Sequence, residues 1–197
     1  MSDTLAAIKQ FAAESKSGTP KKEFVPPTPD DFERGTVLCF DQTLSNTGWA
    51  LLQVRPDGIH VPVCGLISPR VPTGTKGFQW SFTLAPELFH HAAQVVRRVD
   101  PVVPVVIEMP AVQGQRTESS LIAANVLCCV LAQMGRDVPN VVSRQRAGTH
   151  LVGYQNPDKK TSNAVIDTLV STHVKPWNEH VRDAVLLGLE YLHRENP

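Results

Sequence analysis

Residues 102–108, VVPVVIE, place five β-branched apolar residues and one proline directly ahead of an acid, Glu108. A short run with no polar side chain suits a strand covered on both faces of a sheet. It also puts one carboxylate at the end of such a strand. A chain that contains this run needs elements to cover both sides of it.

Three β-rich segments precede the run: TVLCFDQ starting at Thr36, then SNTGWALLQV, then HVPVCGLISP. Thr43-Leu44-Ser45-Asn46 is polar enough to turn the chain between the first two. RPDG, with its Asp-Gly, turns it between the second and third. An antiparallel meander is expected. Residues 77–98 carry Leu88, Ala92, Val95 and Val96 at helical spacing, with Pro86 expected at a helix start or a break. Further on, the pattern predicts a helix from about Thr117 to Met134 and a short strand at 140–143. Two more helices are predicted at about 159–173 and 178–194, with Pro176 at their junction. Three strands, then alternating helices and strands, predict the α/β class: a mixed five-stranded sheet flanked by helices. The same order occurs in the ribonuclease H-like fold.

Residues 1–34 read differently. After a short amphipathic stretch comes SKSGTPKKEFVPPTPDDFERG, rich in proline and charge. Such a stretch buries too little apolar surface to offset its ordering entropy. The expected division is a flexible N-terminal tail over 1–34 and one domain over 35–197. The 197-residue length allows a core that needs no metal or disulfide staple. Cys39, Cys64, Cys128 and Cys129 form no CxxC pair, which predicts reduced core thiols of a cytoplasmic protein. No apolar run reaches the roughly 20 residues of a bilayer span, and MSDTLAAIKQF lacks the pattern of a secretory signal. No membrane association is expected. Lys and Arg number 19 against 19 Asp and Glu, which argues against an indiscriminate polyanion binder.

Asp41 ends the first strand as Glu108 ends the fourth, each behind an apolar run. Ligands of α/β sheets bind beyond the strand ends. Two half-desolvated acids meeting there repel unless a cation lies between them, and magnesium or manganese favours carboxylate oxygen. In NEHVRDAVLLGLEYL, His180 and Asp183 stand three residues apart and share a helix face with Leu187. They would complete a site of three or four ligands. Glu179 with Asp183 is the rival pair, although Glu179 also suits the first turn of a helix.

These motifs resemble those of RuvC-type Holliday-junction resolvases of the ribonuclease H-like superfamily, a bacteriophage-type member among the options. Asp41-Gln-Thr-Leu-Ser-Asn-Thr-Gly48-Trp49 is similar to the first motif and Glu108 to the second. His180-Val-Arg-Asp183 is similar to the last, and Ser143 to Gly153 with Asp158-Lys159-Lys160 to the basic DNA-contacting segment. The resemblance spans about residues 36–194. Two departures stand out. Met109 to Arg116 has no aromatic residue to wedge a junction, and the 143–153 segment has no lysine, although Arg144, Arg146 and His150 are near.

The resemblance implies a structure-selective DNA endonuclease acting on four-way junctions as a homodimer, in the cytoplasm, or in that of a host if phage-encoded. It implies catalysis and metal binding by Asp41, Glu108, His180 and Asp183, with two magnesium or manganese ions per site. It implies DNA contacts by Gln113, Gln115, Arg116, Arg144, Arg146, Lys159 and Lys160. The apolar helix after Thr117, with Leu121, Ile122, Val126, Leu127, Val130, Leu131 and Met134, offers a surface for a second copy. Three other classes compete: a nuclease of the same fold acting on forks, flaps or hybrids, an idle nucleic-acid-binding scaffold, and an actin-like sugar kinase. The last wants a Gly-rich phosphate hairpin where this chain has Thr43-Leu44-Ser45, and a second lobe for which the chain looks too short.

Overall fold

The first strand, β1 (Gly35–Asp41), is buried from Val37 onward. Side chains alternate across a strand, so Val37 and Cys39 join one core while Leu38 and Phe40 join the other. In the computed structural model, which describes residues 24–70, 78–110 and 116–193, this strand lies inside a six-stranded sheet. Its neighbours are β2 (Thr47–Arg55), antiparallel, and β4 (Val105–Glu108), parallel. Beyond β2 lies β3 (Gly58–Ile67), also antiparallel, which completes the expected meander. Beyond β4 lies β5 (Asn140–Val142), parallel.

The sixth strand was not expected. The helix assigned to 159–173 stops at Leu169, and β6 (Val170–His173) continues as a strand parallel to β3. The sheet order is β5-β4-β1-β2-β3-β6, one strand more than the sequence suggested.

Helices cover both faces. On one side lie α1 (Phe78–Arg97) and α2 (Arg116–Gln133), over Leu38, Phe40, Val105 and Ile107. Pro86 is inside α1, neither starting nor breaking it, and is exposed, where solvent limits the cost of its missing N–H. In α2, Leu127, Val130 and Leu131 are buried in this core, while Leu121 is 49% exposed. Cys39 and Cys64 are buried as expected, but Cys129 is exposed on α2.

The other side carries a short helix α3 (Arg144–Ala147), which runs on as a π turn over Gly148–Val152, then α4 (Lys159–Leu169) and α5 (Glu179–Leu192). The Asp158 side chain caps α4 by accepting from the Thr161 N–H at 2.8 Å. The α5 helix crosses β1 and β2, and Val181, Ala184, Val185 and Leu189 are buried there. Its entry is braced by Arg182, whose guanidinium donates to both oxygens of Asp167 on α4 at 2.9 and 3.0 Å.

Described residues on the N-terminal side of β1 pack against the domain. Phe32 is buried in the α5-side core, and the Glu33 N–H donates to the Leu192 carbonyl at 2.7 Å. Phe24 packs on Gly153, a glycine with φ of 87° where a Cβ would meet the phenyl ring. Phe32 thus packs at the end of α5, and Phe24 at the end of the π turn.

Candidate active site at the strand ends

Strand alternation decides where the acids point. Asp41 follows Val37 and Cys39 toward the α5 side, and Glu108 follows Val106. Leu38, Cys39 and Phe40 pair in order with Val105, Val106 and Ile107. Continuing this register by one residue sets Asp41 beside Glu108. Gln42, itself buried, locks the two strand ends together. Its Nε2 donates to the Glu108 carbonyl at 2.7 Å, and its Oε1 accepts from the Glu108 N–H at 3.0 Å.

The helix approaches through a glycine. Gly48 pairs with Asp41 across the β1–β2 ladder, and a Cβ on it would overlap the His180 carbonyl of α5. The first turn of α5, capped by Asn178 accepting from the Val181 N–H at 3.0 Å, therefore rests directly against β2, at the residue paired with Asp41. His180 Nδ1 lies 3.3 Å from Asp41 Oδ2. Asp183, one turn further on, is buried at 5% exposure.

Cations complete the group. Arg144, at the start of α3, donates to both oxygens of Asp183 at 3.2 and 2.9 Å. Lys159 Nζ is 2.9 Å from Glu179 and 3.7 Å from Asp183.

The electrostatics follow from burial. Glu108 is pushed up to about 7, by burial first and then by the charge of Asp41, with Asp183 adding and Arg144 opposing. Burial also raises Asp183, helped by Asp41 and opposed by Arg144 and Lys159. His180 is raised by its hydrogen bond to Asp41. Burial works against the charge on Arg144, but Asp183, Asp41 and Glu108 outweigh it and hold its guanidinium above the ordinary value. Two carboxyls that resist ionisation beside a third acid form a donor set that a cation stabilises.

The four residues expected to form the site thus come together: Asp41, Glu108, His180 and Asp183. Arg144, placed by sequence on the DNA rim, instead turns inward onto Asp183. Its guanidinium sits among the carboxylates of Asp183, Asp41 and Glu108, whose charges favour it there. Arg146 turns to the other side, with Nε 2.8 Å from Glu190. Lys159 joins the acids, and Lys160 is exposed on the first turn of α4. Gln113 and Gln115 lie outside the described residues, as does the side chain of Arg116, whose backbone opens α2. Gln42 and Gly48 were not assigned a role by sequence. The only signal for either was its place in the stretch after Asp41. Among the described residues, the group whose ligand atoms all lie within 4.8 Å of one another is elsewhere, at His150, Glu190 and His193.

No protein-family model and no curated protein sequence matches the chain. Solved structures do. The sheet order, the acids at the ends of two central strands and the crossing helix define a ribonuclease H-like fold. Within that class the chain is similar to RuvC. T. thermophilus RuvC in complex with a Holliday junction substrate superposes with a TM-score of 0.64 at 14% identity, over 80% of this chain and 93% of that one. A second Thermus thermophilus RuvC structure gives 0.62 at 12%, over 79% and 92%. A fowlpox virus resolvase in complex with Holliday junction DNA aligns at 13% over 80% and 97%, but its TM-score of 0.44 is too low to bear on the fold. Among the described residues no helix is long and apolar enough to cross a membrane.

Proposed function

We propose that this protein is a divalent-metal-dependent DNA endonuclease that resolves four-way junctions. The observation that carries the proposal is the meeting of Asp41, Glu108 and Asp183 at one end of the sheet, with two of the three carboxyls pushed up by burial and mutual repulsion. The donor set fits magnesium or manganese: three carboxylates, with an imidazole alongside that suits manganese better. Asp41, Glu108, Asp183 and His180 would hold the ions, which supply an activated water and charge stabilisation at the attacking and leaving oxygens.

The chain's own residues do the rest. Gln42 fixes the spacing of the two strand-end acids. Asp41 holds the His180 ring through Nδ1, so that Nε2 is the nitrogen left to ligate or to take a proton from water. Arg144 and Lys159 balance the acids and offer charge to a phosphate that approaches them. The exposed Lys160 extends that charge outward. Two copies of the chain would cut a junction symmetrically, and light scattering with and without junction DNA tests for the dimer.

The RuvC neighbour was solved on a Holliday junction substrate, which favours a junction as the substrate here. The absence of an aromatic residue between Met109 and Arg116 favours a second reading, a nuclease of the same fold acting on forks, flaps or hybrids. A cleavage panel of junction, fork, flap and RNA–DNA hybrid in magnesium and in manganese separates the two. Paired symmetrical nicks in the junction are expected. No metal-dependent cleavage of any substrate would sink the nuclease proposal.

A further inference from the structure

Glu190 stands seven residues beyond Asp183 on α5, two turns or about 10 Å along the same helix face. Its side chain is 3% exposed. His193 closes the helix as its C-cap, and His150 reaches in from the π turn after α3. One ligand atom from each of the three lies within 4.8 Å of the others. His150 Nδ1 is 2.9 Å from Glu190 Oε1, and Arg146 Nε is 2.8 Å from the same oxygen. The other two donors are unserved: Glu190 Oε2 and His193 Nδ1 are buried with no hydrogen-bond partner. An orphaned buried carboxylate oxygen and ring nitrogen are each costly, and such atoms call for an explanation.

We infer that His150, Glu190 and His193 form a second metal site, for a zinc-class transition ion, separate from the strand-end acids. Two imidazoles and one carboxylate are a donor set that zinc takes with its fourth position open. Magnesium, which prefers an all-oxygen shell, is disfavoured here. The open side is provided for: Glu190 and His193 line a cavity of about 530 Å³, with Arg146, Ser143, Glu33 and Tyr191 around it. The ion ties three segments together. Besides α5 and the π turn, it secures the N-terminal segment, because Phe32 bridges to His193 by backbone and by an edge-on ring contact at 5.6 Å. The nearby Arg146 charge repels a cation while leaving Glu190 Oε2 available, so Arg146 limits the affinity of the site.

The test uses the full chain carrying Asp41→Asn and Asp183→Asn, so its outcome is independent of the nuclease proposal. Cobalt(II) alone is titrated and followed by visible absorption and equilibrium dialysis. One equivalent per chain is expected, with the intense d–d bands of a four- or five-coordinate ion. Zinc displaces it and excess magnesium does not. His193→Ala and Glu190→Gln each weaken binding at least tenfold, while Arg146→Gln tightens it. Glu190→Gln is nearly isosteric and carries the test if circular dichroism shows His193→Ala to be unfolded. Absence of cobalt bands, binding unchanged by Glu190→Gln, or binding weakened by Arg146→Gln would each overturn the inference.

Discussion

Replacing Glu108 with glutamine should make the metal-free protein more stable while abolishing cleavage. The folded chain raises the Glu108 carboxyl from its ordinary 4.5 to about 7, through burial first and then the charge of Asp41. The groups facing it are Asp41 from β1, Asp183 from α5 and Arg144 from α3, and only Arg144 favours the ionised form. In the unfolded chain Glu108 loses its proton near 4.5. Between 4.5 and 7 the folded state therefore binds more protons, and stability falls as pH rises through that window. At 1.36 kcal/mol per pKa unit the gap is worth roughly 3 kcal/mol. The amide never ionises, so Glu108→Gln should recover about 1–3 kcal/mol of this above pH 7. At about 2–4 °C per kcal/mol for a chain of this size, Tm rises by roughly 2–12 °C. The assay is thermal unfolding in chelator at pH 5 and pH 8. The variant should exceed wild type at pH 8 and converge with it at pH 5. Magnesium should then raise the wild-type Tm at pH 8 and leave the variant nearly unmoved. A Tm difference between the two proteins that does not change with pH would refute the reasoning.

Asp41→Asn should lower cleavage by orders of magnitude while junction binding persists or tightens, because repulsion of phosphate is relieved. Parallel cleavage and mobility-shift assays check this. Lys160→Glu should weaken junction binding and reduce the log–log salt slope by about 1, measured by titration at several salt concentrations. Lys159 is the wrong residue for that test, since at 3.7 Å from Asp183 it also alters the acidic site. Gly48→Ala should cost about 2 kcal/mol or more by forcing α5 off β2, read by denaturant unfolding. Cleavage should fall with it, because the shift separates His180 from Asp41.

Asp41 and Glu108 were legible in the sequence because each closes an apolar run, and strand periodicity with the β1–β4 register then sends both to one side. The sixth strand was not legible. Val165, Ile166, Leu169 and Val170 keep helical spacing straight through the end of α4, and only pairing with the distant β3 makes 170–173 a strand. Phe32 was hidden in the same way. Its surroundings are proline and charge, and its seat is formed by the far end of the chain.

Arg144 and Glu190 show where charge reading stops. A basic residue in a basic segment reads as a phosphate contact, and nothing local says that a carboxylate 39 positions later will hold both arms of the guanidinium. On α5, Asp183 drew notice because His180 stands one turn before it. Glu190 lies on the same face, just as buried, but its partners come from the π turn and the helix end. A helix face records which residues go inward. It does not record what they meet there. For the acids of a sheet edge, the neighbouring strand supplies that answer within one register step. For Glu190, the answer required the path of the π turn after α3, a conformation that His150 and its neighbours do not signal.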